Sequence, residues 1–156
     1  MMPTSAPGTA PTTAPSAAEG KLAAFQNLWE ARRAGRTLPE RRDFLAEDFR
    51  PWFGHVCIAR LEPETGRHRM TLCGTTAAEY FGVDLTGRLI DDVFPRQRFG
   101  WLFDMYRECE RTRRPVWRTT PPFTYQGTYS ALKRVLLPCG SGESVDTFLL
   151  CIYAVR

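Results

Sequence analysis

The segment Val145–Val155 constrains this chain more than any other. Read as a strand, it puts Phe148, Leu150, Ile152 and Ala154 on one face and Thr147, Leu149, Cys151, Tyr153 and Val155 on the other. Both faces are largely apolar. An antiparallel strand of that kind has to be covered on both sides, so the fold needs one layer above the sheet and a second below it.

Two stretches can supply those layers. From Lys21 onward Leu22, Phe25, Leu28 and Trp29 recur at helical spacing, with Gly35 as a stop and Pro39 as the following break, which predicts an amphipathic helix of about fourteen residues. A short helix after Pro39 carries Phe44, Leu45 and Phe49 and ends at Pro51. Further on, Thr75 is placed to cap a short helix through Phe81, with Gly82 as its stop. The longest helix is expected over Arg96–Arg113, where Phe99, Leu102, Phe103, Tyr106 and Cys109 form one apolar face. The mid-chain helices cover one face of the sheet. The Leu22–Trp29 helix, a partner subunit, or both cover the other.

The remaining segments read as strands. His55–Glu62 and Arg67–Cys73 flank the turn Pro63-Glu64-Thr65-Gly66 and make a hairpin. Val116–Tyr125, Tyr129–Leu137 and Val145–Val155 are separated by the short turns Gln126-Gly127-Thr128 and Gly140-Ser141-Gly142-Glu143, which makes them antiparallel neighbours. Two strands, a helical insertion and three strands give an α+β fold. Residues 1–20, almost wholly Ala, Pro, Thr and Ser, cannot bury enough apolar surface to offset chain entropy and are expected to be disordered. Residues 21–50 form an N-terminal helical segment, and 51–156 form the domain proper.

Composition narrows the function. A length of 156 residues with 43% hydrophobic content suits one domain. Five cysteines, odd in number and set in apolar runs, read as reduced core thiols, so a cytoplasmic location is expected. No apolar run reaches the ~20 residues that span a bilayer, and the expected protein is soluble, without membrane association. The net charge of +4 invites a nucleic-acid partner, yet Glu30, Glu40, Asp43, Glu108 and Glu110 interrupt the arginine clusters, which disfavours one. No phosphate loop or nucleophile elbow occurs. Adjacent residues project apart, so Asp91-Asp92 reads as a solvated helix start rather than a catalytic carboxylate pair. Two histidines without a close-spaced cysteine pair do not make a zinc site. Both His55 and His68 are expected as partly exposed strand residues. We therefore expect no catalytic and no metal-binding residues, and the chain is not expected to be an enzyme.

The order of elements, together with several local motifs, resembles PAS domains, in particular a bacterial single-PAS family described chiefly in alphaproteobacteria. Trp29 to Arg41 is similar to that family's N-terminal helix and its proline-containing exit. Gly74-Thr75 through Tyr80-Phe81-Gly82-Val83-Asp84-Leu85-Thr86-Gly87-Arg88 resembles its most recognisable stretch, and Arg114-Pro115-Val116, Leu136-Leu137-Pro138, Gly142-Glu143 and Val145-Asp146 resemble its later strands and turn. The loop also makes sense by itself: Gly82 and Gly87 open backbone angles closed to other residues, and Asp84 and Thr86 can tie down amides between them.

The resemblance implies a five-stranded antiparallel sheet with helices on one face, the N-terminal amphipathic helix on the other, and often a small-molecule cavity beneath the helices. Met70, Tyr80, Phe81, Phe99, Phe103, Phe123 and Phe148 can line such a cavity for a small apolar ligand, or they can fill it. Haem is disfavoured because neither histidine lies on the long helix, where haem-binding PAS domains place their axial ligand. Cys109, between Glu108 and Glu110, does not match the Asn-Cys-Arg motif of flavin photosensors, and its neighbours would raise the thiol pKa. No cofactor is named by the residues. The implied function is a non-catalytic sensory or regulatory protein acting through contacts with a second copy or a signalling partner, with Leu22, Phe25, Leu28, Trp29, Leu149 and Tyr153 as interface residues. The alternative is a small cone-shaped α+β enzyme or ligand-binding protein of the nuclear-transport-factor-like type.

Overall fold

The computed structural model describes residues 16–122 and 131–155. Helix α1, Ala17–Arg33, opens with a capping box in which Glu19 N–H donates to Ser16 Oγ (3.1 Å) and Ser16 N–H to Glu19 Oε1 (3.3 Å). It thus starts inside the stretch read as tail and ends at Arg33. The left-handed cap falls on Ala34 (φ 52°), one residue before the expected glycine stop. Two 3₁₀ segments, Arg41–Asp43 and Ala46–Trp52, replace the short helix expected after Pro39.

The hairpin is β1, Val56–Leu61, and β2, His68–Cys73, followed by α2, Thr75–Phe81. Gly74, not Thr75, sits at the N-cap, because a Cβ there would collide with the Gly54 carbonyl; Gly82 (φ 81°) ends the helix. A turn of helix, α3, Ile90–Val93, precedes α4, Gly100–Thr112. The amphipathic pattern of α4 is borne out, but the helix is shorter than predicted because Pro95 to Phe99 forms a separate turn, and α1 is the longest helix among the described residues.

The chain closes with β3, Val116–Thr120, β4, Ala131–Ser141, and β5, Ser144–Val155. The expected 126–128 turn and the strand residues beside it lie outside the described residues. Strand β4 runs on through Pro138, so the last turn tightens to Gly142-Glu143 between the paired Ser141 and Ser144. Pro138 fits because backbone N and O of one residue point to the same side of a strand. Its open side is the one that β3 leaves free by pairing no further than Val116–Leu136, and there the Trp29 indole donates to the Pro138 carbonyl (2.7 Å).

The sheet order is β2-β1-β5-β4-β3, antiparallel throughout. Each face of this sheet carries its own core. On the inner face α2, α3 and α4 pack over Met70, Phe148, Leu150 and Ile152; on the outer face Leu22, Phe25 and Trp29 join Phe44, Phe49 and Trp52 over Ile58, Val135, Leu137, Leu149 and Cys151. The expected α+β fold with helices on one face and α1 on the other is the observed one. The cover on the outer face comes from the same chain.

Candidate functional site

Most of the residues expected to line a cavity converge on the inner core. Met70 comes from β2, Tyr80 and Phe81 from α2, Phe103 from α4 and Phe148 from β5, and all are buried. Phe99 is only partly buried at its margin, set edge-on to Phe94 at 5.1 Å. Phe123 lies outside the described residues. The free space left among Met70, Phe81, Ile90, Leu102, Tyr106 and Arg134 is about 10 Å³. That is room for about one water. Of the residues expected to line a cavity, Met70 and Phe81 border this small space.

Three polar side chains meet in this core, and one of them, Arg134, was not singled out from the sequence. Arg134 is fully buried on β4, its Nη2 donating to Thr120 Oγ1 (2.8 Å) and its guanidinium lying 5.6 Å from the Trp101 ring centre. Burial lowers its pKa to about 10, which leaves it charged at neutral pH. The signal was the alternation Leu132, Arg134, Leu136, which sets the arginine on an inward face. Tyr106, also fully buried, stands edge-on to Phe148 at 5.1 Å, and burial raises its pKa.

His68 corrects an expectation, for it is buried rather than partly exposed. Its ring packs 4.8 Å from Tyr106 and 5.4 Å from Phe148, and neither ring nitrogen has a hydrogen-bond partner among the described residues. Burial, with a smaller push from Arg96, lowers its pKa to about 4. His55 is half-buried as expected, with Nδ1 2.9 Å from the Ile152 carbonyl and its ring stacked 3.8 Å from Tyr153. Asp91 is not simply a solvated helix start. It is ion-paired to Arg67 (3.0 Å) and Arg96 (3.3 Å), which hold its carboxyl below the usual range against the opposing effect of burial, while Asp92 pairs with Arg67 at 2.7 Å.

The residues expected at an interface already have partners inside the chain. Leu22, Phe25, Trp29 and Leu149 are at most 2% exposed in the outer core, while Leu28 and Tyr153 are partly buried beside it. Polar contacts hold the N-terminal turns of α1 down: Lys21 Nζ donates to the Pro51 carbonyl (3.0 Å), the Trp52 indole donates to the Lys21 carbonyl (2.8 Å), and Lys133 pairs with Glu19 (3.3 Å). Among the described residues, open apolar surface is also found away from α1. Phe53 (61% exposed) and Leu72 (44%) flank a groove of about 310 Å³ lined by Phe49, Val56, Ile58 and Cys73.

All five cysteines are free. The Cys109 thiol is pushed up first by burial, then by Cys139, and only after these by the neighbouring Glu108 and Glu110 carboxylates that the sequence suggested. Among the described residues no cluster of His, Cys, Asp or Glu could hold a metal ion, and no helix is long and apolar enough to cross a membrane. The loop Asp84–Arg88 is tied as expected, with the Thr86 amide (2.9 Å) and hydroxyl (2.7 Å) both donating to Asp84 Oδ1.

This arrangement, a five-stranded antiparallel sheet with short helices inserted after the first hairpin, is the PAS fold, and residues 18–152 match the sequence model of the PAS domain family. The chain belongs to the PAS domain family. Its fold is similar to that of a sensory box sensor histidine kinase from Vibrio cholerae, at a TM-score of 0.51 and 15% identity over 74% of this chain and 92% of that one. The PAS domain of BvgS from Bordetella pertussis is also similar, at a TM-score of 0.47 and 15% identity over 66% of this chain and 77% of that one. No curated protein matches the sequence significantly. PAS domains are sensory and regulatory modules, and the nuclear-transport-factor-like alternative is set aside by the family match and the strand order.

Proposed function

We propose that this chain is a non-catalytic PAS regulatory module that acts by protein contact, first of all by pairing with a second copy of itself. The observation that carries the reading is the open apolar corner formed by Phe53, Leu72 and the groove beside them. Exposed apolar surface of this kind marks contact sites. A patch with both a groove and an adjacent projecting phenyl is self-complementary about a two-fold axis, which uses the same patch twice. The small size of the space beside Met70 and Phe81, about 10 Å³, favours contact over ligand capture as the means of signalling. The arginines favour a protein partner over nucleic acid, since many are engaged in ion pairs such as Arg32–Asp48 (2.8 Å), Arg36–Asp43 (2.7 Å) and Arg69–Glu62 (2.6 Å). Five unpaired thiols suit a reducing, cytoplasmic setting.

Light scattering and native mass spectrometry of the full chain test this together. The expected result is a concentration-dependent dimer carrying no small molecule, converted to monomer by joint Phe53→Ser and Leu72→Ser substitution. A strict monomer at all concentrations, or a dimer indifferent to both substitutions, would overturn the reading.

A further inference from the structure

Cys57 and Cys73 are paired across β1 and β2, the one register position where two cysteines of the described residues face each other. The Gly74 N–H donates to the Val56 carbonyl (2.9 Å), one residue beyond Cys73 and one before Cys57. That bond makes the cysteines a non-hydrogen-bonded pair, the position at which opposite Cα atoms stand about 4.5 Å apart. Disulfides form at Cα separations of roughly 4.4–6.8 Å, so the backbone already has the required spacing. The sulfurs are 4.0 Å apart, and side-chain rotation closes the rest. We propose that Cys57 and Cys73 are a modification site, forming a reversible intramolecular disulfide when the protein meets a peroxide.

The two thiols differ in a way that assigns their roles. Cys57 is fully buried, whereas Cys73 is only half-buried and lines the apolar groove, so a peroxide reaches it in the monomer, before a second copy covers that groove. The Cys57 thiol donates to the Cys73 sulfur, and this, with a hydrogen bond from the Leu85 amide, lowers the Cys73 pKa against burial and the Asp84 carboxylate. The same contact and burial raise Cys57. Cys73 is therefore the thiolate that meets the oxidant. Its sulfur attacks one peroxide oxygen, the O–O bond breaks, and the departing hydroxide leaves as water with the proton given up by Cys73. The resulting sulfenic acid is attacked by the Cys57 sulfur; the S–O bond breaks and the second hydroxide leaves as water with the Cys57 proton. Two thiols and one peroxide give one disulfide and two waters, each sulfur losing one electron and each peroxide oxygen gaining one. The other three cysteines are buried, and burial raises each of their pKa values, so they take no part.

The test uses the full chain reduced, freed of reductant and treated with hydrogen peroxide, then alkylated with N-ethylmaleimide, digested with trypsin and read by mass spectrometry. The expected product is a cross-link between the Cys57 peptide ending at Arg60 and the Cys73 peptide, Met70–Arg88, that dithiothreitol reverses. Cys73→Ser and Cys57→Ala should each abolish it, whereas Cys109→Ser should leave it unchanged. The proposal is overturned if Cys73 accumulates as sulfinic acid while Cys57 remains alkylatable after denaturation, if Cys73 links to a second molecule instead, or if both thiols survive. The wild-type readout alone decides between these outcomes, even where a variant fails to fold.

Discussion

His68 shows how one side chain can make this domain sensitive to acid. Its pKa is about 4 in the folded chain, against an ordinary value near 6.5, because burial between Tyr106 and Phe148 disfavours the imidazolium. The unfolded chain then binds a proton that the folded one refuses. The contribution is fully present above pH 6.5 and is lost as pH falls toward 4, by roughly 3 kcal/mol at the limit. Urea unfolding of the wild type and of His68→Leu between pH 7 and 4 should show a steep loss in the first and a flatter one in the second; parallel curves would contradict the assignment. Its strand position was legible in the sequence, but its burial was not. Inward and outward sides of an edge strand depend on register, and the β-bulge between Ile58 and Ala59 resets that register within the hairpin. Arg134 was hidden for another reason. The alternation puts it on one face with Leu132 and Leu136, but that face is seen to be buried only once both faces of the strand are known to be covered.

Among elements, α1 carries the clearest consequence. Its periodicity was legible because Leu22, Phe25 and Trp29 mark one stripe, and the two-sided apolar strand called for such a cover. What fastens it was not legible: the Trp29 indole reaches a carbonyl on β4 that no neighbouring strand can satisfy, and this pairing spans most of the chain. Trp29→Phe keeps the ring packing but leaves that buried carbonyl without its donor, a loss of about 1–3 kcal/mol. Chemical denaturation should show the lower midpoint with an unchanged m-value. A midpoint equal to that of the wild type would mean that the indole contributes packing alone. The ends of elements were the weaker part of the reading, as at Thr75, where a backbone collision at Gly74 rather than hydroxyl chemistry sets the helix start, and at Pro138, where the strand continues through a residue usually taken as a breaker.

For the whole molecule, the order of strands and helices was legible because turns and periodicities are local. How full the space between the layers is was not, because it depends on side-chain volumes meeting from β2, α2, α4 and β5. Between its two cores, β5 lies at the centre of the sheet, bonded to β1 on one side and β4 on the other. Side chains from alternate positions of this one strand are embedded in both cores. The two cores should therefore melt as a unit. With fluorotryptophan incorporated, the ¹⁹F resonances of Trp52 in the outer core and Trp101 beside the inner one should vanish at the same urea concentration; earlier loss of Trp52 would show that the layers unfold separately.

Strand β5 thus behaves as a party wall between two rooms. Neither room can be rearranged without moving a surface that belongs to the other, so a disturbance arriving on the helical side has a direct mechanical route to α1.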